Sequence, residues 1–280
     1  HGAGQSALQL ALDIPLDQVE HTTLKGRVTM KESDQAALRL TPALPLFDAL
    51  VGEIGFTESA LTVKAQTRVW GQDVWVEGQR EAGGATKFLA HGVMTADGLQ
   101  RAHDWPLLAQ LGKRLTGQSP FTVLVSIPKV ATPEAPAGLP VVEVQSSLQG
   151  FAANLPAPLN KAAASVWPLK VTYRLEDAQG HTDALVVDVA NPQSAGLSDG
   201  APWLKVDLRR DVTGADAKVQ RGLISLMQMT AGAAQAMPVL PAKGVALQVV
   251  VPTLELDVWQ ALGKSFQAES GGHASADAAG

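Results

Sequence analysis

The stretch VVEVQSSLQGFAANLPAPLNKAAASVWPLKVTYRL, residues 141–175, decides how this chain is read. Val142 and Val144 alternate with Glu143 and Gln145, and Leu169, Val171, Tyr173 and Leu175 alternate with Lys170, Thr172 and Arg174. A period of two puts each set on one face of a β-strand. Between the strands lies Leu155-Pro156-Ala157-Pro158-Leu159-Asn160-Lys161. Two prolines this close forbid a helix and remove two ladder donors. The connector is therefore expected to leave a sheet and return to it.

The same theme repeats outward in both directions. Leu8, Leu10, Leu12 and Ile14 alternate up to Pro15, and Arg27 to Lys31 reads as a strand after a turn at Gly26. Ala37 to Leu40 is a short third strand, and Leu61, Val63, Ala65, Thr67 and Val69 make a long one that turns at Trp70-Gly71. Val74, Val76 and Gly78 lead back, and Lys87 to Val93 and Phe121 to Ile127 follow as strands. Beyond the opening stretch come Ala184 to Val189, Trp203 to Leu208, Gly222 to Met227 and Val245 to Val251. Turn signals every ten or so residues fit an antiparallel all-β topology.

Three segments depart from that pattern. Leu44, Leu46, Phe47 and Leu50 have near-helical spacing, which predicts a helix near 42–50. Leu107, Leu108, Leu111 and Leu115 predict a second helix over 104–115, with Asp104 as its N-cap. Leu254 to Phe266 reads as a strand that closes as a helix, and 268–280 as a disordered Ala/Gly/Ser-rich tail. LVGEIGFT (50–57) and LTGQSPFT (115–122) align without a gap, which suggests a helix-turn-strand unit used twice. Two segments are expected, 1–140 and 141–267, separated by a Pro/Ala-rich loop at 129–139.

Composition narrows the function classes. A net charge of −5 without a Lys/Arg cluster argues against nucleic acid. The absence of cysteine removes disulfides, thiolate metal sites and thiol chemistry. It fits an oxidising compartment and a cytosolic one equally well. No run is long and apolar enough for a membrane helix. The first residue, His1, is not an initiator Met, and the chain is expected to be part of a longer protein.

Little in the sequence points to catalysis. His1, His21, His91, His103, His181 and His273 show no metal-ligand spacing, and His103-Asp104 reads as a helix start. Asp177, Asp183, Asp188 and Asp199 read as turn or solvent-face residues, and Arg209-Arg210-Asp211 as solvated surface. Trp70, Trp75, Trp105, Trp167, Trp203 and Trp259 sit at element boundaries, where an indole serves as a core plug more often than as a sugar platform. No catalytic residue, cofactor or metal is expected.

What remains is the alternation itself. Only 18% of residues are charged and helices are few, yet each strand has one apolar face. A sheet of this size must cover that face. It can close as a barrel or sandwich, serving as a glycan- or protein-binding scaffold. It can also curl into a trough whose lining takes an apolar ligand.

Several collinear pieces carry a resemblance. They are Pro45 to Thr57 (PLFDALVGEIGFT), the turn at Trp70-Gly71, Pro106-Leu107-Leu108, Val144 to Gly150 (VQSSLQG), Leu155 to Lys161 (LPAPLNK) and Leu254 to Trp259 (LELDVW). Together they resemble the periplasmic body of YhdP-type proteins, in the AsmA-like superfamily with TamB. Gly150, Leu155, Pro156, Pro158, Lys161 and Trp259 are the motif positions. Asn160 stands where a glycine is expected, and asparagine tolerates a left-handed backbone there.

The resemblance implies a mainly β fold, a large curled antiparallel sheet forming an apolar groove, with two or three short helices. It implies a periplasmic, non-enzymatic segment that conducts phospholipids between inner and outer membranes, anchored through a longer parent chain. The implied partners are phospholipid acyl chains, the rest of that parent chain and envelope proteins. Taking the more aliphatic face of each strand gives the groove candidates. They are Leu10, Leu12, Val28, Val63, Val69, Val123, Val125, Val142 and Val144, then Leu169, Val171, Leu185, Val187, Val189, Val206, Leu208, Leu247 and Val249.

Overall fold

The computed structural model describes residues 2–3, 5–13, 23–31, 36–39, 45–80, 84–128, 138–190, 203–214, 217–227 and 239–271. In chain order the first strands are β1 (Gly2–Ala3), β2 (Ser6–Asp13), β3 (Thr23–Met30), β4 (Ala37–Leu38), β5 (Phe47–Thr57), β6 (Leu61–Val69), β7 (Gln72–Arg80) and β8 (Thr86–Thr95). Two short helices follow, α1 (Ala96–Gln100) and α2 (Pro106–Gly112). The chain continues with β9 (Leu115–Ile127), β10 (Val141–Ser146), β11 (Phe151–Ala153), β12 (Leu169–Leu175) and β13 (Thr182–Val189). It ends with β14 (Leu204–Asp211), β15 (Lys218–Met227), β16 (Gly244–Val250) and α3 (Leu256–Gly271).

The strands form one sheet, ordered β5-β6-β7-β8-β9-β10-β12-β13-β14-β15-β16, with β3 and then β2 added beyond β5. Neighbours are antiparallel except β15 and β16, which run parallel in register from Arg221–Gly244 to Met227–Val250. The sheet is thus mixed, where the alternation alone predicted an antiparallel one. Periodicity reports which side a residue faces, not strand direction, and residues 228–243 are long enough to bring β16 back in the same sense. Among the described residues β2 and β16 do not pair with each other, so the sheet is not closed into a barrel. That removes the closed-barrel alternative.

The hairpin at Trp70-Gly71 forms as read. Trp70 has φ 52° and Gly71 φ 79°, the two left-handed positions of a two-residue turn that matches strand twist. Gly26, read as a turn, lies instead inside β3 opposite Phe56. A methyl group on Gly26 would lie 2.1 Å from the Phe56 ring, and one on Gly78 would lie 2.4 Å from the ring of its partner Phe88. These glycines leave room for a phenyl ring laid flat across the neighbouring strand.

The predicted helix near 42–50 does not form where it is described. Phe47 to Leu50 belong to β5, and residues 41–44 lie outside the described residues. The cause is a bulge between Asp48 and Val51 opposite β6, with Ala49 at φ 48°. One extra residue breaks the period of two and makes a strand look helical. The helix expected over 104–115 shortens to Pro106–Gly112. Its N-cap is Trp105, while Asp104 pairs with Arg39 at 2.8 Å. Leu115 already starts β9. α1 was not foreseen; Thr95 caps it by accepting from the Gly98 N–H at 3.0 Å.

The aligned pair of segments is therefore strand in both copies, not helix-turn-strand. Their shared feature is a change of partner. β5 meets β4 at Phe47–Asp48 and β3 at Gly52–Thr57, along one edge. β9 likewise meets β11 at Leu115–Gly117 and β10 at Phe121–Ser126. At the C-terminal end, residues 251–255 are not a strand, and the helix extends through 268–271, which were assigned to a disordered tail. Residues 272–280, the strand end at Pro15, the 129–137 part of the loop, His1, His21, His273 and Asp199 lie outside the described residues.

Candidate functional site

Register turns the alternation into a surface. One row of paired residues crosses the sheet from β2 to β16. It runs Leu8, Val28, Ile54, Val63, Gly78, Phe88, Val125, Val142, Tyr173, Leu185, Leu208, Gly222, Val245. The next row is Ala65, Val76, Ala90, Val123, Val144, Val171, Val187, Val206, Ile224, Leu247. A third holds Val74, Gly92, Phe121, Ser146, Leu169, Val189, Leu204, Leu226 and Val249. Directly paired residues point to the same side of a sheet, so all three rows share one face. Leu10, Leu12 and Val69 join that face by their alternation along β2 and β6.

All the groove candidates therefore stand on one face. Sequence reasoning missed Ile54, Phe88, Tyr173, Leu204, Ile224 and Leu226 on the same face. The opposite rows mix apolar residues with most of the charged ones, for example Lys64, Glu77, Leu89, Leu124, Glu143, Thr172. Lys170 pairs with Glu143 at 2.9 Å and Lys205 with Asp188 at 3.0 Å on that side.

Exposure differs between the faces. On β6, β7 and β8 the aliphatic-face residues are half-buried or buried, while Lys64, Glu77, Lys87 and His91 between them are exposed. That is the sense expected of a sheet curled toward its aliphatic face. The face opens at both edges, where Leu10 is 58% and Leu247 71% exposed. Val189 is the candidate most deeply buried, at 6%.

The two ends of the strands are built differently. At one end α1, α2 and the proline connector form a plug. Ala96, Leu99 and Phe151 are buried there, with Trp70, Met94, Leu108, Leu115 and Leu148 packed around them. Trp70 meets Trp105 edge-on at 5.5 Å, and Trp167 meets Trp203 at 4.9 Å. α3 docks on the same end: the Trp259 indole N–H donates to the Ala157 carbonyl at 3.0 Å, and Arg114 donates to Ser265 at 2.9 Å.

The motif positions hold this plug together. The connector leaves the sheet after β10 and re-enters as β12, β10's antiparallel neighbour, as the two prolines required. Ala157–Pro158 is a cis peptide. Leu155, Pro156 and Pro158 are half-buried in it. Lys161 is buried and donates from Nζ to the Phe151 carbonyl at 2.8 Å and the Ala162 carbonyl at 3.2 Å. Its ammonium lies 5.9 Å from the Trp167 ring centre, and burial pushes its pKa down. The turn does not use a left-handed Asn160; among the described non-glycine residues positive φ falls on Ala49, Trp70 and Leu148.

Gly150 does need its backbone freedom. It has φ 98° and faces Gly117, at φ 91°, where β11 crosses β9. A methyl group on Gly117 would lie 2.1 Å from the Gly150 carbonyl oxygen. Gly117→Ala is expected to lower stability by about 2–3 kcal/mol through left-handed strain and this clash. The urea midpoint of the purified chain measures it.

The opposite end carries charge. Asp183 is fully buried on the aliphatic face, and Arg210 holds it with two hydrogen bonds, Nε to Oδ1 at 2.8 Å and Nη2 to Oδ2 at 2.7 Å. Burial, then the Asp183 charge, raises the pKa of Tyr173 on the next strand. Asp183 is thus no solvent-face carboxylate, and Arg210 is not simple surface. Their positions in phase with Leu185 and Leu208 were the available signal. Arg209 instead faces the polar side and pairs with Glu176 at 2.8 Å. Asp177 does lie in the β12–β13 turn; the Thr182 hydroxyl and the His181 N–H donate to it and hold its pKa at about 2.

Among the described residues no helix is long and apolar enough to cross a membrane, and no group of three metal-binding side chains forms. No curated protein and no solved structure matches the chain. A family model described as YhdP protein matches residues 1–279. The match spans the aliphatic rows, the plug and the connector alike, and bears out the resemblance carried by LPAPLNK and its collinear partners. The chain belongs to the YhdP protein family, within the AsmA-like group of lipid-transport proteins.

Proposed function

We propose that this chain is a groove segment of a bridge-like protein that conducts phospholipids through the periplasm, between inner and outer membranes. The observation that carries the reading is the row from Leu8 to Val245, free of charged residues and mostly apolar, which crosses from one edge strand to the other. Acyl chains lie against that face. Each methylene removed from water there is worth about 0.8 kcal/mol, and a row of mostly apolar residues returns a similar value from strand to strand. A lipid therefore moves across the sheet without a deep trap or a high barrier.

The two strand ends give the lipid its orientation. The plug end is filled by aromatic side chains, so the headgroup points to the other end and to water. The segment works as a conduit and not as an enzyme. The parent chain supplies the anchor and the rest of the path, and envelope proteins supply the connection at either membrane.

Native mass spectrometry of the purified chain tests this. Phospholipid-sized adducts that disappear after delipidation and return on incubation with phospholipid vesicles are the expected result. A chain that neither retains nor takes up phospholipid would overturn the reading.

A further inference from the structure

Ionisable side chains are sorted by face. Along the described strands every lysine stands on the polar face, and most arginines do too: Arg27 pairs with Glu53 and Arg68 with Asp73 there. Two arginines break the rule. Arg210 is neutralised on the aliphatic face by Asp183. Arg80, the last residue of β7, is in phase with Val74, Val76 and Gly78 and sits opposite Leu61. Its Nε is shielded from solvent without a hydrogen-bond partner, and no ion pair joins it to any described residue.

A guanidinium placed against an aliphatic surface with a desolvated, unpaired N–H is costly unless an anion completes it. Its planar fork matches the oxygens of a phosphate group. Position says which phosphate. Arg80 stands at the strand end away from the plug, one step beyond the long aliphatic row. From Arg80 to Val74 the face extends about 20 Å at roughly 3.3 Å per residue. One leaflet's acyl layer is about 15 Å thick, half the hydrocarbon core. An acyl chain lying along β7 with its end near the plug therefore brings its headgroup phosphate to Arg80.

We propose that Arg80 binds the phosphate oxyanion of a phospholipid headgroup at the open end of the aliphatic face. The site rests on the reading of that face as an acyl path. It acts as a station, fixing headgroup position and favouring lipids that carry a phosphate.

Calorimetric titration of the full chain with three monomeric probes separates the two ideas. The probes are dihexanoyl phosphatidic acid, dihexanoylglycerol and inorganic phosphate. The unaltered chain is expected to bind both lipids, phosphatidic acid more tightly. Arg80→Gln is expected to weaken phosphatidic acid about tenfold, the loss of one charge-assisted contact. It should leave dihexanoylglycerol unchanged, and Arg80→Lys should restore part of the affinity. An unchanged phosphatidic acid affinity in Arg80→Gln would overturn the Arg80 site while leaving the acyl path intact. Arg80-dependent binding of inorganic phosphate as tight as that of phosphatidic acid would overturn the lipid assignment in favour of free phosphate. Failure of the unaltered chain to bind either lipid would overturn the acyl path and, with it, this site.

Discussion

Asp183→Ala is expected to destabilise the chain by about 3–5 kcal/mol, the largest loss from any single side-chain truncation considered for this fold. The carboxylate is fully buried and takes both hydrogen bonds of the Arg210 fork. Removing it strands a guanidinium whose side chain is only 20% exposed, on the same face as the neighbouring Leu185–Leu208 pair. Urea denaturation read by tryptophan fluorescence measures the effect. The double variant Asp183→Leu, Arg210→Met separates lost attraction from stranded charge. It removes both charges and is expected to recover most of the loss, because a well-packed apolar pair replaces a buried ion pair at little or no cost. A double variant no more stable than Asp183→Ala would show that packing around the carboxylate, and not the stranded arginine, sets the effect.

The second large effect is on transport. Val187 sits mid-row between Val171 and Val206, and Val123 sits between Ala90 and Val144. A carboxylate at either position puts a hydrated charge where acyl methylenes pass. A charge in a hydrocarbon path costs about 3 kcal/mol, which slows passage about 100-fold. Val187→Asp and Val123→Asp are thus expected to abolish phospholipid transport in the parent protein, while circular dichroism still reports a folded sheet. Thr122→Asp is the control. Thr122 is the chain neighbour of Val123 but lies on the polar face between His91 and Gln145, and it is exposed. It should leave transport unchanged. Transport that persists in a folded Val187→Asp protein would remove that residue from the path.

The contrast between Val123 and Thr122 shows how much was legible beforehand. Period-two alternation placed every groove candidate on the more aliphatic side of its own strand. It could not say that these sides merge into one face, because that depends on register. Registers such as Val144–Val171 and Val187–Val206 are set by pairing across the chain. The apparent helix at 42–50 failed for a related reason. The bulge at Ala49 and Leu50 shifts the alternation, and only the partner strand reveals that shift. Asp183 and Arg210 were legible in phase but not in consequence. Thr182, Arg209 and Asp211 beside them are polar, and what neutralises the pair is the register that sets Asp183 opposite Arg210.

The sequence by itself determined the β character, the strand faces, the interrupted return at residues 141–175, the absence of thiol chemistry and the family. These are local properties, written in periodicity, proline placement and short motifs. Tertiary structure decided the parallel closing pair β15–β16, the open edges and the plug at one strand end. It also decided the sorting of charge that leaves Arg80, unlike Arg210, without an ion-pair partner among the described residues of the aliphatic face. Each of these arises from which strand pairs with which, and in what direction. Backbone hydrogen bonds between distant segments fix that, and alternation within one strand carries no record of it.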